Sequence, residues 1–103
     1  MRIFTTAGYE RSAKRLLKSE EQTAMEAAIS AAPGNNPAIQ GTGGIRKARW
    51  ARQGKGKSGG VRVIYYYAVI PSEIHFLLVY AKKDQADLTA EQRKMLKKYV
   101  EAL

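Results

Sequence analysis

The 103-residue sequence has no cysteine, a single histidine, and no apolar run approaching the roughly 18 residues that a membrane-spanning helix requires. The missing thiols exclude disulfide scaffolds, thiol nucleophiles and thiolate metal centres together. One histidine and nine scattered acids leave no basis for a histidine-rich or paired-carboxylate centre, so neither metal nor cofactor is expected. The first residues contain no apolar signal-peptide core, and Glu10 is out of place in an organelle transit peptide; the expected compartment is the cytosol, with no membrane partner. Acid is missing most tellingly from the middle of the chain. Residues 27–72 hold seven Lys and Arg and no Asp or Glu, whereas segments 1–26 and 73–103 each carry a net +1.

What is present supports one globular domain spanning residues 1–103, because 45% of the residues are hydrophobic and 9% aromatic. Most of the formal charge of +9 belongs to the acid-free segment. A block of one sign on a stretch able to fold reads as a surface that faces an anion.

The apolar period changes once along the chain. Residues 2–6 suit a short strand, after which Tyr9, Ala13, Leu16 and Leu17 recur at helical spacing. Ser19-Glu20-Glu21-Gln22 matches a capping box that would open a second helix ending near Pro33-Gly34. From residue 44 the period is two: 44–51 forms a strand with Ala48 and Trp50 opposite Lys47 and Arg49, followed by strands at 61–69 and 74–81. Thr89-Ala90-Glu91-Gln92 is a second capping-box match, opening a terminal helix with a stripe of Leu96, Tyr99, Val100 and Leu103. The expected order is βααβββα, an α+β fold in which an antiparallel meander packs with helices.

One-to-one ladders turn this order into a candidate site. A hairpin closed by the basic loop 53–60 sets Arg62 across from Arg49, with Lys47 on the same face. A turn near 70–73 sets Arg62 across from Ala81, beside Lys82 and Lys83. Lys47, Arg49, Arg62 and Lys82 or Lys83 then converge on one end of the sheet, with Lys55 and Lys57 in the loop above it. Alternation sends Trp50, Tyr65 and Tyr67 to the core, and leaves Tyr66 on the face of Arg62 as a candidate for base stacking. His75 falls near the other turn, about 25 Å from the cations at roughly 3.3 Å per residue, and is expected to be a bystander. Phosphate suits such a cluster because guanidinium offers a permanent fork to its oxygens. Neither a P-loop nor a dinucleotide fingerprint is present, since the glycines have the wrong spacing. Single-stranded RNA fits better.

The run Gly41-Thr42-Gly43-Gly44-Ile45-Arg46-Lys47-Ala48-Arg49-Trp50-Ala51, then Gly54 to Gly60, Arg62-Val63-Ile64-Tyr65-Tyr66, Tyr80-Ala81-Lys82-Lys83-Asp84 and Asp87-Leu88-Thr89 resembles the HigB-type branch of the RelE/ParE toxin superfamily. The resemblance covers essentially the whole chain. It implies the toxin of a bacterial type II toxin–antitoxin pair, acting in the cytoplasm as a ribosome-dependent, metal-independent mRNA endonuclease. The family's basic pair falls on Lys47 and Arg49, its central-strand arginine on Arg62, and its last basic residue on Lys83, with Lys82 as the other match. Where RelE-like members carry a tyrosine, this chain has Thr89. Since RNA supplies its own 2′-OH nucleophile, the expected roles are charge neutralisation by Arg62 and Arg49 and proton acceptance by Lys47 or Lys82. Arg46, Arg52, Lys55 and Lys57 would grip ribosomal RNA without reading its sequence. A cognate antitoxin, expected to be a helix-turn-helix protein from the adjacent gene, would neutralise the toxin. Two alternatives stand beside this one: a ParE-like gyrase inhibitor without nuclease activity, and a non-catalytic module that binds RNA or DNA.

Overall fold

In the computed structural model, which describes residues 1–52 and 59–103, the change of period is realised in the expected order. The elements are β1 (Arg2–Thr5), α1 (Ala7–Leu16), α2 (Ser19–Ala31), β2 (Ile45–Trp50), β3 (Val61–Ala68), β4 (Glu73–Ala81) and α3 (Ala90–Glu101). Lys55 and Lys57 lie outside the described residues.

Local chemistry explains most of the helix ends. Thr6 caps α1: its hydroxyl accepts from the Tyr9 amide at 3.0 Å and donates to the Leu77 carbonyl at 2.8 Å, which also fastens the helix to β4. The capping box at Thr89 forms as expected, its hydroxyl accepting from the Gln92 amide at 3.0 Å while Oε1 of Gln92 accepts from the Thr89 amide at 2.9 Å. The box expected at Ser19 does not form. Lys18 is the N-cap of α2, without a side-chain bond, and Ser19 is already helical. The Gln22 backbone amide, which the box would direct to the Ser19 hydroxyl, donates to the Lys18 carbonyl at 2.9 Å, while the Gln22 side-chain Nε2 donates to Glu10 at 2.8 Å and Glu26 at 3.0 Å. Tyr9 donates to the same Glu26 at 2.8 Å, so that side chain serves the junction between α1 and α2.

The four-stranded sheet runs β1-β4-β3-β2. Strands β2, β3 and β4 make the expected antiparallel meander, and β1 adds a parallel edge beside β4, from Arg2↔Glu73 to Thr5↔Phe76, so the sheet is mixed. Flanked by a strand on each side, β4 is buried along nearly its whole length, as its unbroken apolar run requires. The β2–β3 register places Arg49 opposite Arg62, as the ladder predicts. The β3–β4 register differs by one residue: Arg62 faces Tyr80, not Ala81. The ladder shifts at Ile64/Tyr65, a β-bulge that no one-to-one count anticipates. Because of this shift, Phe76 and Val79 both enter one core while Leu77 and Leu78 both pack into the other.

Those two cores lie on opposite faces of the sheet. Tyr9, Met25, Val63, Tyr65 and Phe76 fill the space under α1 and α2. Ile45, Ile64, Leu77, Tyr80 and Leu88 make the second core, on which α3 lays Leu96, Tyr99 and Val100; no residue of α3 is fully buried. Trp50 and Tyr67 pack against the first core, as alternation predicts. His75 is buried near the hairpin turn, with Nδ1 3.0 Å from the Tyr99 hydroxyl, Nε2 3.2 Å from Glu73 and its ring stacked on Phe4 at 4.8 Å. It joins β1, β4 and α3 far along the ladder from Arg62.

β2 begins at a tight turn in which Gly43 and Gly44 take φ of +78° and +105°, values a side chain would oppose. Buried Thr42 bridges this turn, donating to the Ile39 carbonyl at 2.6 Å and accepting from the Ile45 amide at 3.2 Å. The preceding segment pairs with the outer edge of β2 through Lys47 N to Pro37 O (3.1 Å) and Ile39 N to Ile45 O (2.7 Å), which shields that edge from strand addition.

Candidate functional site

Alternation on β2 and β3 puts Lys47, Arg49 and Arg62 on the face shared with Ile45 and Ile64. At the end of this ladder a cleft of about 360 Å³ is lined by Arg49, Trp50, Ala51, Gly60, Arg62 and Lys82. The Lys82 amide donates to the Gly60 carbonyl at 3.1 Å, which fixes the chain leaving β4 beside the chain entering β3. Three cations from three strands or strand ends therefore share one concavity, and no acid is among its lining residues. Lys83, one residue further along the turn, is exposed and does not line the cleft. Of the two lysines between which the sequence could not choose, the geometry brings Lys82 to the arginines.

Lys47 sits two residues before Arg49 and is held by a carboxylate that sequence reasoning assigned no role. Its ammonium donates to Oδ1 of Asp87 at 3.4 Å, while Oδ2 of Asp87 accepts from Arg93 of α3 at 3.1 Å. The Leu88 amide also donates to Oδ1 at 2.8 Å. That amide bond, helped by the charges of Lys47 and Arg93, holds the Asp87 carboxyl below the usual carboxylate range despite some opposing desolvation. The contact links residues forty apart in sequence, and the only sequence signal is an acid two positions before the cap of α3.

Tyr80, across the ladder from Arg62, also escaped the sequence reading. It is 4% exposed and its hydroxyl has no hydrogen-bond partner among the described residues. Burial pushes its phenol up, Asp87 adds to that, and the charges of Arg62 and Arg93 oppose it.

The other expected contacts are placed differently. The Arg46 guanidinium lies on the opposite face of β2 and donates to the carbonyls of Asn36 at 2.6 Å and Gly34 at 3.2 Å. Arg52 donates through Nε to the Gly59 carbonyl and reaches the Leu16 carbonyl at 3.5 Å. Both heads thus have backbone duties. Tyr66 shares the face of Arg62 as predicted, yet it packs against the second core with its ring 6.4 Å from His75 and does not line the cleft.

A different hollow, of about 390 Å³, lies between α1, β4 and α3 and is bordered by Leu77, Leu78, Met95, Leu96 and Tyr99 with Arg11 as its one charge. It offers apolar surface and little chemistry. Among the described residues no three acids, histidines or cysteines gather as a metal site would need. The cationic cleft is the stronger candidate: forked donors converge there on a volume that suits a phosphate and part of its nucleotide. No described helix is long and apolar enough to cross a membrane. The model of the family described as the RelE toxin of the RelE/RelB toxin–antitoxin system matches the chain over residues 1–103.

Proposed function

The chain belongs to the RelE toxin family, and from that premise we propose that it is a ribosome-dependent endoribonuclease that cuts mRNA and so arrests translation. One observation carries the proposal: Arg49, Arg62 and Lys82, distant in sequence, line a single cleft. In the proposed reaction the substrate's 2′-OH attacks the adjacent phosphorus, the bond to the 5′-oxygen breaks, and a 2′,3′-cyclic phosphate remains. Negative charge grows on the phosphoryl oxygens in the transition state. Guanidinium donors lining the cleft stabilise that charge more than the ground state, which is the condition for rate acceleration. Lys82 lines the cleft without a side-chain partner among the described residues; in this proposal its amine takes the 2′-OH proton in its neutral form, and the departing 5′-oxygen takes a proton from solvent. Lys47, engaged by Asp87, supplies positive charge at the margin. The chemistry has no step that requires a metal, because the nucleophile belongs to the substrate.

As a toxin of this family the protein is paired with a cognate antitoxin. The net charge of +9 favours a partner that lays acidic residues over the cleft, and we assign that role to a helix-turn-helix protein from the neighbouring gene. Cytoplasmic ribosomes and their mRNA are the proposed target. The HigB-type branch is the subgroup that the sequence resembles.

The test is in vitro cleavage of a defined mRNA on purified ribosomes, mapped by primer extension. Discrete cuts within the decoded frame, absent without ribosomes and absent with Arg62→Ala, support the proposal. Intact mRNA with inhibited DNA supercoiling would favour a gyrase poison, and intact mRNA with bound ribosomes a non-catalytic binder.

A further inference from the structure

We propose that Trp50 is a stacking platform for the nucleobase next to the phosphate held by Arg49, Arg62 and Lys82, which makes the cleft a nucleotide subsite. The inference rests on the RNA reading above and adds the residue that would hold the base.

Trp50 is the last residue of β2 and pairs with Val61, the first of β3, one step beyond the Arg49↔Arg62 pair. Consecutive strand residues point to opposite faces, so Arg49 and Trp50 border one concavity only because the ladder ends there. The indole packs against the first core on its inner side and is partly buried. Trp50 is also among the residues that line two hollows, the cationic cleft and a neighbouring one of about 350 Å³ bordered by Lys18, Glu20, Glu21 and Ala24. A purely structural core tryptophan is closed off by its neighbours; Trp50 is only partly buried and belongs to the lining of both hollows. Its Nε1 has no hydrogen-bond partner among the described residues, although a buried indole N–H usually finds one.

The chemistry of the cleft is therefore two-part. Forked cations neutralise a phosphate, and an anchored aromatic wall adjoins them. Peptide carboxylates or inorganic phosphate would use the first part only. A nucleotide of single-stranded RNA uses both, since every base has a face that stacks on an aromatic ring. Stacking is tolerant of sequence, so the platform predicts a preference for purines, which offer the larger face, without a hydrogen-bonded code.

Trp50 is the only tryptophan in the chain, so its emission reports on this site alone. The probes are 2′-O-methyl hexaadenylate, which lacks the nucleophilic hydroxyl and cannot be cut, and an abasic 2′-O-methyl hexamer with the same phosphates. Unlabelled oligonucleotides are titrated against tryptophan emission, and end-labelled ones are followed by anisotropy. The expected result is salt-dependent binding of both, with quenching by the base-bearing hexamer alone and affinity for it higher by about tenfold or more. Trp50→Leu should erase the difference between the two hexamers, and Trp50→Phe should keep most of it. Equal affinities with unchanged emission would overturn the platform while leaving the cationic site standing. Failure of both hexamers to bind would likewise overturn the platform, whereas binding of both that Arg62→Ala leaves unchanged would remove the cleft as the RNA site and the platform with it. If Trp50→Leu does not fold, the comparison of the two hexamers on the unmodified protein decides the matter.

Discussion

Arg62→Gln should make the protein more stable and less active at once. Arg49 and Arg62 are direct cross-strand partners, and Lys82 shares their cleft. Like charges placed opposite each other in a ladder destabilise it by a few tenths to about 1 kcal/mol. The Arg62 guanidinium makes little that would offset this, its one hydrogen bond among the described residues being a long 3.5 Å contact to the Val61 carbonyl. Removing the charge while keeping most of the stem should therefore raise Tm by about 1–6 °C in a domain of this size. The gain should shrink in 1 M salt, where the screening length falls to about 3 Å. Catalysis should move the other way. Loss of one preorganised donor at a developing negative charge costs about 10²–10³ in rate, so ribosome-programmed cleavage should fall by that factor. Melting curves at two salt concentrations and primer-extension rates on the same preparation test both halves. A lower Tm accompanying the lost activity would show that Arg62 holds the fold together, and the catalytic assignment would lose its basis. Unchanged cleavage would remove the cleft as the site.

Three further outcomes follow from the same geometry. Lys82→Ala should slow cleavage about tenfold or more, whereas Lys83→Ala, outside the cleft, should leave the rate of the ribosome-bound reaction within a fewfold of normal; equal losses would contradict the assignment. Phe76→Ala removes a fully buried ring that stacks on Tyr9 at 5.4 Å and should cost about 3–5 kcal/mol in urea unfolding, while Ile70→Ala, 90% exposed, should stay within about 0.5 kcal/mol. The Asp87 carboxyl is lowered in the fold, so its contribution is present above the ordinary carboxylate range near pH 4 and is lost as pH falls through the depressed value. Melts between pH 5 and 2 should show the native protein losing a small increment that Asp87→Asn lacks, small because the side chain is 46% exposed; parallel curves would show that the carboxylate is not held.

Period and capping made the element order legible. The alternation at 44–51 and 61–69 and the Thr89 box needed no tertiary information, because each depends on residues within a few positions of one another. The Arg49↔Arg62 register was legible for the same reason: one short loop joins the two strands. The β3–β4 register was not. A bulge at Ile64/Tyr65 is selected by how Phe76, Leu77, Leu78 and Val79 divide between two cores, and neither core exists until α1, α2 and α3 are docked. The parallel seating of β1 against β4 is likewise decided by a partner seventy residues away. The Ser19 box did not form because the helix starts one residue early: Lys18 takes the N-cap place, Ser19 is already helical, and the Gln22 backbone amide bonds to the Lys18 carbonyl.

The charges were legible as a group and not as individuals. Segment 27–72 announces an anion-facing surface by lacking acid, yet two of its arginines, Arg46 and Arg52, spend their guanidinium groups on backbone carbonyls. A guanidinium carries several donors on a long stem, so a nearby unpaired carbonyl can capture it as readily as a ligand can. The cations that remain in the cleft are those whose strand positions place no carboxylate beside them. Lys47 shows the contrary case: Asp87 reaches it from the segment before α3, and the same carboxylate holds Arg93 on that helix. The charge of the cleft is thus set by what the fold keeps away from Arg49, Arg62 and Lys82 as much as by what it brings together. An antitoxin that supplies acid to this cleft would complete electrostatically what the chain itself leaves open.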